Sequence, residues 1–155
     1  MMGLPRIVSG LDDLHFVTGA VPSTANGITL CTGSLGAGPR NDVPAIAQAC
    51  AEHVHFVHLR NVSKGPDGSF MESEHLAGDT DMVAVVETLL AEQKRRRDRG
   101  DENWRLPFRP DHGHELLDDI GKNSFPGYSA IGRMKGLAEI RGVMAAVARL
   151  RSLSI

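Results

Sequence analysis

A short segment in the second half of the chain places an acidic residue beside two histidines. Its sequence is RPDHGH, at 109–114, and it follows the short apolar run 104–108, which predicts a strand that ends in a loop. The carboxylate of Asp111 and the imidazoles of His112 and His114 could bind a metal ion or transfer protons. The glycine between the histidines allows a sharp turn and a close approach to a ligand. A polar loop in contact with solvent is the alternative for so short a motif, so other segments must supply matching chemistry.

Length and composition restrict the kinds of protein that this chain could be. Its 155 residues are 41% hydrophobic and 23% charged, which is typical of about one globular domain. A complete large barrel typically needs roughly 200 residues or more. The formal net charge of −2 creates no overall field toward nucleic acid or a membrane surface, so neither partner is expected.

The sequence also predicts a cytoplasmic protein. No apolar run approaches the roughly 18 residues of a membrane span, and the segment 1–6 lacks the apolar stretch of a signal peptide. Two cysteines, Cys31 and Cys50, are too few for a disulfide framework. Both are therefore expected to be reduced thiols.

Apolar periodicity and turn residues predict helices that alternate with strands along the chain. For the first helix, Leu11, Leu14 and Val17 recur at helical spacing, and either Ser9 or Asp12 could cap it. Strands that alternate with helices of this length predict parallel β–α units and therefore an α/β fold. The predicted order is a helix ending at Gly19, a strand at 28–31, a helix opened by Asn41 or Asp42, a strand at 54–59, a helix capped by 79–81, a strand at 104–108, and a final helix with Ile140, Val143, Met144, Val147 and Leu150 on one side.

Three polar segments of the chain have no assigned chemistry. The glycine-rich segment 32–39 is interpreted as a loop, because it lacks the lysine and the spacing of a phosphate-binding P-loop. The segment 60–78 is predicted to be a long polar loop. The basic run KRRRDR at 94–99 could contact nucleic acid, but we favour a solvated helix end, where cations oppose the helix dipole.

Each predicted strand ends on a side chain that can bind a metal ion, and parallel β/α folds bind ligands at the carboxyl ends of their strands. These side chains are Cys31, His58 and Asp111. The alternation of side chains turns Cys31 and Asp111 away from the face that packs on helices. His58 shares its face with Val54 and Phe56, so the same argument is weaker there.

Taken singly, these three residues also have structural interpretations: a small buried cysteine, a hydrogen-bonded core histidine and a helix-capping aspartate. Taken together, sulfur, nitrogen and oxygen ligands suit Mn, Fe or Zn better than Mg or Ca. Three protein ligands would leave open positions on the ion, as a catalytic metal requires. For His53 and His55, at the start of the second strand, a hydrogen-bonded core position is expected.

Candidates for proton transfer and for substrate binding lie near the same strand ends. His112, His114 and the single tyrosine, Tyr128, could transfer protons, although a tyrosine packed through its ring is the alternative. Arg60, Asn61, Arg109 and His114 are candidates for binding an anionic substrate, with surface charge as the alternative for Arg60 and Asn61. His15 and His75 are left without an assigned role.

Four segments resemble mannonate dehydratase, and the resemblance extends from about Gly3 to the final helix. They are CTGSLG at 31–36, HFVHLRN at 55–61, RPDHGH at 109–114 and PGYSAIGR at 126–133. The resemblance implies a TIM-type (β/α)8 barrel, a divalent Mn2+ or Fe2+ ion, and the dehydration of D-mannonate to 2-keto-3-deoxy-D-gluconate in glucuronate catabolism.

The resemblance also implies roles for individual residues. The family binds its metal through a cysteine, two histidines and an aspartate, and Cys31, His58 and Asp111 match three of these. A tyrosine and an Asp-His pair are associated with proton transfer in the family. Tyr128, Asp111 and His112 match them.

One departure from the family is large, because its chains are more than twice this length. The whole chain, 1–155, is therefore expected to be the C-terminal part of a barrel, with about three parallel β–α units and without the second metal-binding histidine. Three strands cannot close an eight-stranded barrel, so a homo-oligomer or association with a missing N-terminal half is expected. The alternatives are a sugar isomerase or epimerase on a similar barrel, and an inactive fragment that folds only by association.

Overall fold

The computed structural model describes residues 6–153, and its regular elements alternate as the sequence predicts. Two short 3-10 turns, at Ala51–His53 and Leu117–Asp119, complete the regular structure of the described residues. The strands are β1 (Ile28–Cys31), β2 (Val54–Leu59), β3 (Asn61–Lys64), β4 (Phe70–Ser73) and β5 (Phe108–Pro110), and the helices are α1 (Leu11–Ala20), α2 (Thr32–Gly36), α3 (Val43–Cys50), α4 (Met82–Asp98) and α5 (Ala130–Leu150).

A three-stranded parallel sheet with the order β1-β2-β5 brings the predicted strand ends to one edge. Cys31 pairs with His58, and His58 pairs with Arg109 on its other side. The predicted α/β fold with parallel β–α units is therefore confirmed. The carboxyl ends of all three strands lie side by side, and Asp111 follows the last residue of β5.

The third strand begins later than the predicted 104–108, because its first residues bond to other groups. The backbone N–H of Leu106 donates to the side chain of Gln93 on α4 at 2.9 Å, and Pro107 has no N–H to donate. Regular pairing starts only where Phe108 meets Val57.

The hydrophobic core lies between the sheet and the helices α3, α4 and α5. Apolar residues of each of these helices, such as Ile46, Val85 and Ile140, are buried against strand residues. The predicted apolar faces of the first and last helices are too wide, because Val17 and Leu150 are exposed. The strand side of the core is formed by Leu30, Val54, Val57 and Leu59.

Aspartates begin two of the helices that pack over the hydrophobic core. Asp42 accepts the N–H of Ala45 and Asp81 accepts the N–H of Ala84, each at 3.0 Å, which confirms these predicted caps. Helix α1 instead begins after Gly10, where the carboxylate of Asp13 accepts the backbone N–H of Ser9 and of Gly10. Neither Ser9 nor Asp12 is therefore its cap.

Two segments predicted to be loops contain regular structure. Residues Thr32–Gly36 form the short helix α2, whose first residues follow Cys31 directly. The segment 60–78 contains an antiparallel hairpin of β3 and β4, closed by a turn with Gly68 at φ +82°. The prediction missed these strands because the segment is rich in polar residues. The hairpin lies beside the ends of the parallel strands.

The basic run at the end of α4 is only partly solvated, which corrects the prediction for Arg96. The guanidinium of Arg96 is buried and donates to the carbonyl oxygens of Ala51 and Val54, each at 2.9 Å, and to Glu92 at 2.7 Å. Arg96 therefore ties the end of α4 to the start of β2. The other cations of the run are more exposed.

The prediction that His53 and His55 occupy the core is wrong. His55 is exposed and His53 is half-buried beside Glu52. The pairing of β1 with β2 is irregular here, since Ile28 faces Val54 while the next residue faces Phe56, so His55 is an extra residue that turns outward.

Among the described residues, no helix is both long and apolar enough to cross a membrane.

Candidate functional site

The ends of the three parallel strands bring a thiol, an imidazole and a carboxylate together. The sulfur of Cys31 lies 3.3 Å from Nδ1 of His58. On the other side of the same ring, Nε2 lies 3.2 Å from a carboxylate oxygen of Asp111. The ring of His58 therefore stands between its two neighbours and presents a different nitrogen to each. A cation shared by all three residues needs one nitrogen of His58 to face both of them.

Two imidazole nitrogens at this site are buried without a hydrogen-bond partner among the residues that the structure describes. They are Nε2 of His58 and Nδ1 of His112. Nε2 of His58 lies close to Asp111 but outside hydrogen-bonding geometry, and Nδ1 of His112 lies 3.5 Å from the other oxygen of the same carboxylate. Buried polar atoms are rarely left unpaired. Two such nitrogens around one carboxylate fit a divalent transition metal ion. The thiol of Cys31 faces the other nitrogen of His58, Nδ1.

Glu72 also belongs to the site, although no motif in the sequence indicated it. It lies on β4 of the hairpin, and its carboxylate is 3.7 Å from Nδ1 of His112. Glu72, Asp111 and His112 each present one potential ligand atom, and these atoms all lie within 4.8 Å of one another. The prediction of a loop at 60–78 left Glu72 out of the site. The pairing of β3 with β4 is what brings the side chain of Glu72 close to the ends of the parallel strands.

The guanidinium of Arg60 is already engaged within the site. Its Nε donates to Glu72 at 2.9 Å and lies 3.4 Å from Asp111, and a second nitrogen also pairs with Glu72. These hydrogen bonds to Glu72 raise the pKa of Arg60 above its ordinary value. Arg109, which is about half exposed, lies 3.5 Å from Asp111 and is the more accessible cation.

The side chain of Asn61 is fully used by the backbone. Its amide nitrogen donates to the carbonyl oxygens of His75 and Thr80, and its amide oxygen accepts the N–H of Val62 and of Thr80. Asn61 is also almost completely buried. No polar group of this amide is left for a substrate, so its role here is structural, contrary to the predicted substrate binding.

Tyr128 and His112 lie next to each other at the open side of the site. Their ring centroids are 5.3 Å apart with an interplanar angle of 72°, and Tyr128 is half exposed. Gly127, at φ +82°, makes this approach possible, since a Cβ there would lie 2.8 Å from the ring of His112. His114 is exposed, and its carbonyl oxygen accepts the hydroxyl of Ser129 at 3.0 Å.

A cavity of about 460 Å³ opens beside these residues. Its lining includes Glu72, His112, His114 and Pro126, so acidic, imidazole and apolar surfaces meet there. This volume lies within the range of roughly 300–1,000 Å³ that small-molecule pockets have. The arrangement suits a small polar substrate that must exchange protons beside a cation.

His75, left without a role in the sequence, is buried behind the site. Burial lowers the pKa of its imidazole below the ordinary value, which favours the neutral form. No pattern in the sequence marks it, since it lies in a polar segment and its partner, Asp111, is 36 residues away.

Comparison with known proteins gives one consistent result. Residues 1–154 match the family model described as D-mannonate dehydratase (UxuA). The mannonate dehydratase of Rhizobium meliloti (strain 1021) is 55% identical over 146 residues, which cover 92% of this chain and 36% of that protein. The mannonate dehydratase of Saccharophagus degradans (strain 2-40) is 51% identical over 148 residues, which cover 95% of this chain and 37% of that protein.

The fold has a solved counterpart as well. The crystal structure of mannonate dehydratase from Streptococcus suis serotype 2 matches with a TM-score of 0.81 at 34% identity, covering 100% of this chain and 42% of that chain. The chain thus spans little more than a third of the length of the curated relatives it matches. The resemblance found in four segments is confirmed, and the chain belongs to the D-mannonate dehydratase family.

Proposed function

We propose that this chain supplies the C-terminal part of a mannonate dehydratase active site, in which D-mannonate loses water to give 2-keto-3-deoxy-D-gluconate. The convergence of Cys31, His58 and Asp111 from three successive parallel strands carries the proposal. The relatives named mannonate dehydratase support the substrate. They also favour a dehydratase over the sugar isomerase that the sequence left open.

A Mn2+ or Fe2+ ion would be held by Cys31, His58 and Asp111 once the ring of His58 turns one nitrogen toward both neighbours. The unpartnered Nε2 of His58 favours this. When bound, such an ion would stabilise the negative charge that develops on the substrate carboxylate as the proton on the neighbouring carbon is removed. Arg109 is positioned to attract the substrate carboxylate, since the guanidinium of Arg60 already pairs with Glu72.

His112 and Tyr128 share the acid and base roles. The reaction removes a proton from the carbon beside the carboxylate and expels the hydroxyl of the next carbon as water. One residue takes the first proton and the other protonates the leaving hydroxyl. Each of these proton transfers typically increases the reaction rate about 10²- to 10⁴-fold. His112 lies between the carboxylates of Glu72 and Asp111, which stabilise an imidazolium after proton uptake. The ring of Tyr128 packs against the ring of His112 on the open side of the site.

The remainder of the site requires a closed barrel. We propose that β1, β2 and β5 are three of the eight strands of a TIM-type barrel, and that a second copy or an N-terminal half completes it. The fraction of the relatives that the chain covers, 36% for the Rhizobium meliloti protein, supports this arrangement.

Product formation by the chain and by a reconstituted pair tests the function. Formation of 2-keto-3-deoxy-D-gluconate from D-mannonate is measured with Mn2+, for residues 1–155 alone and mixed with the N-terminal part of the Rhizobium meliloti relative. We expect product from the mixture and about a 10²-fold loss or more when Cys31 is replaced in Cys31→Ala. The matched control is Cys50→Ala, which changes a buried cysteine of α3 outside the site.

Two results would contradict the proposal. One is a folded, Mn2+-loaded mixture that forms no product. The other is a product that keeps all the hydroxyl groups of the substrate, which indicates an isomerase or an epimerase.

A further inference from the structure

His75 is buried directly behind the carboxylate that faces both imidazoles of the site. It is only 4% exposed and lies just after β4, two residues beyond the last paired residue, Ser73. Every other histidine among residues 6–153 is more exposed. A polar ring this deeply buried needs a specific partner, because burying an unpaired polar group is costly.

The partner is the backbone of Asp111. The N–H of Asp111 donates to Nε2 of His75 at 3.1 Å. Regular pairing of β5 with β2 ends one residue earlier, at Pro110, so the sheet ladder supplies no acceptor for this N–H. His75 thus replaces the missing strand partner at the position where the chain leaves the sheet. Since Nε2 accepts, the proton of a neutral ring must be on Nδ1.

Both the ring and the backbone of His75 are held by their neighbours. At the ring, a Cβ at Gly136 of α5 would lie 2.3 Å from Cε1 and 2.4 Å from Nδ1, so only a glycine lets the helix pack this closely. The backbone is held as well, because the carbonyl oxygen of His75 accepts a hydrogen bond from the amide nitrogen of Asn61 at 2.9 Å. The fully satisfied Asn61 amide and the Gly136 position therefore fix the imidazole relative to the sheet.

We propose that His75 is a positioning residue that sets the orientation of the Asp111 carboxylate. With its N–H held, Asp111 presents one oxygen to Nε2 of His58 and the other toward Nδ1 of His112. The proposal rests on the proposed function, in which Asp111 is a metal ligand. His75 itself contacts the backbone of Asp111 and not the reacting atoms.

Three variants separate positioning from packing. His75→Gln retains an acceptor oxygen near the position of Nε2, whereas His75→Leu removes the acceptor and keeps an apolar side chain of moderate size. The matched control is His15→Leu, which changes an exposed histidine of α1. Each variant of the full chain is measured for Mn2+ affinity by titration calorimetry and for thermal unfolding, and kcat and KM are measured in the reconstituted enzyme.

We expect His75→Leu to weaken Mn2+ affinity roughly 10- to 100-fold and to lower kcat with little change in KM, as losses of residues that orient metal ligands do. His75→Gln should restore most of both quantities, and His15→Leu should change neither. Equal losses in His75→Leu and His75→Gln that follow only the thermal midpoint would overturn the proposal. Unchanged Mn2+ affinity in a folded His75→Leu protein would do the same.

A measurement on the metal-free wild-type chain is independent of turnover. The 15N chemical shifts of the His75 ring distinguish the two neutral tautomers, and we expect the proton on Nδ1. A proton on Nε2 overturns the proposal even if the enzyme is active. The expected tautomer with normal Mn2+ affinity but no dehydration of D-mannonate would instead contradict the proposed function and leave the role of His75 supported.

Discussion

At the scale of single residues, Cys31 and Cys50 place the same thiol in opposite surroundings. Cys50 is completely buried in α3, and this burial raises the pKa of its thiol above the ordinary value, so little thiolate forms. Cys31 is half-buried at the end of β1, beside His58. We therefore expect a water-soluble thiol reagent to modify Cys31 in the native protein, and Cys50 only after unfolding.

A bound ion should protect Cys31 if the thiolate is a ligand. At a Mn2+ or Co2+ concentration of about ten times the Kd, modification of Cys31 should slow about tenfold, since only the ion-free protein reacts. Reagent kinetics with and without the ion provide the measurement, and Cys31→Ser should remove the fast phase. Fast modification at saturating ion would exclude Cys31 from the ligands.

Tyr128 provides a second prediction at the residue scale. In the reconstituted enzyme, Tyr128→Phe should lower kcat by about 10²-fold or more, because it removes the hydroxyl and leaves the ring packed on His112. Steady-state kinetics provide the measurement. The control is Phe125→Leu, which removes a ring whose centroid lies 6.0 Å from that of Tyr128. This variant should change kcat only a few-fold. Unchanged turnover in Tyr128→Phe would show that the hydroxyl transfers no proton.

At the scale of elements, one buried ion pair fastens the end of α4 to the sheet. Arg96 and Glu92 are both buried, and Arg96 also donates to the carbonyl oxygen of Val54. Burial by itself raises the pKa of Glu92, but the hydrogen bonds from Arg95 and Arg96 outweigh burial and bring the pKa below its ordinary value. Glu92 therefore binds its proton more weakly in the folded chain than in the unfolded chain.

The sign of the pH effect follows from that difference. Since the unfolded chain binds the proton more tightly, Glu92 contributes stability above the ordinary carboxyl pKa, and this stability is lost as the pH falls through the folded pKa. Urea unfolding between about pH 7 and pH 3 should show a smaller loss of stability for Glu92→Gln than for the wild type. The exposed Glu102 offers the control Glu102→Gln, which should behave as wild type. If the free energy of unfolding of Glu92→Gln fell with decreasing pH as steeply as that of the wild type, this account would be wrong.

Close packing between the site loop and α5 gives another prediction for the elements. A Cβ at Gly113 would lie 2.2 Å from the backbone of Gly132, whereas a Cβ at Gly142 on the same helix meets nothing within 4 Å. Gly113→Ala should therefore lower the free energy of unfolding by about 1–3 kcal/mol. Gly142→Ala should raise it by up to about 1 kcal/mol, because alanine favours the helix. Denaturant unfolding measures both changes, and equal effects would contradict the packing argument.

The same elements show what the sequence could and could not predict. Apolar periodicity located β1, β2 and the helices α1, α3, α4 and α5, and Asp42 and Asp81 marked two helix starts, because these signals are local. The hairpin that carries Glu72 was missed because its strands are polar. The buried Arg96 was missed as well, because its burial depends on contacts with residues more than forty positions away.

At the scale of the whole molecule, the sheet has two outer strands. Among residues 6–153, β1 and β5 each pair on one side only, with β2 between them. Large apolar side chains are also exposed, including Phe16, Phe125 and Met134. Unpaired strand edges and exposed apolar surface favour association. Both features agree with the proposal that further strands complete a barrel.

Association should therefore stabilise the chain measurably. We expect sedimentation velocity to show a complex when the N-terminal part of the Rhizobium meliloti relative is added, and we expect the thermal midpoint to rise, because binding to the folded state stabilises it. Thr29→Lys places a charge on the outer strand β1 and should weaken the complex roughly tenfold or more, since closure would bury that charge without a partner. The control Thr24→Lys, on an exposed loop, should bind normally. A monomer whose sedimentation and thermal midpoint do not change on addition would show that these edges accept no further strands, and barrel completion by an N-terminal half would then be wrong.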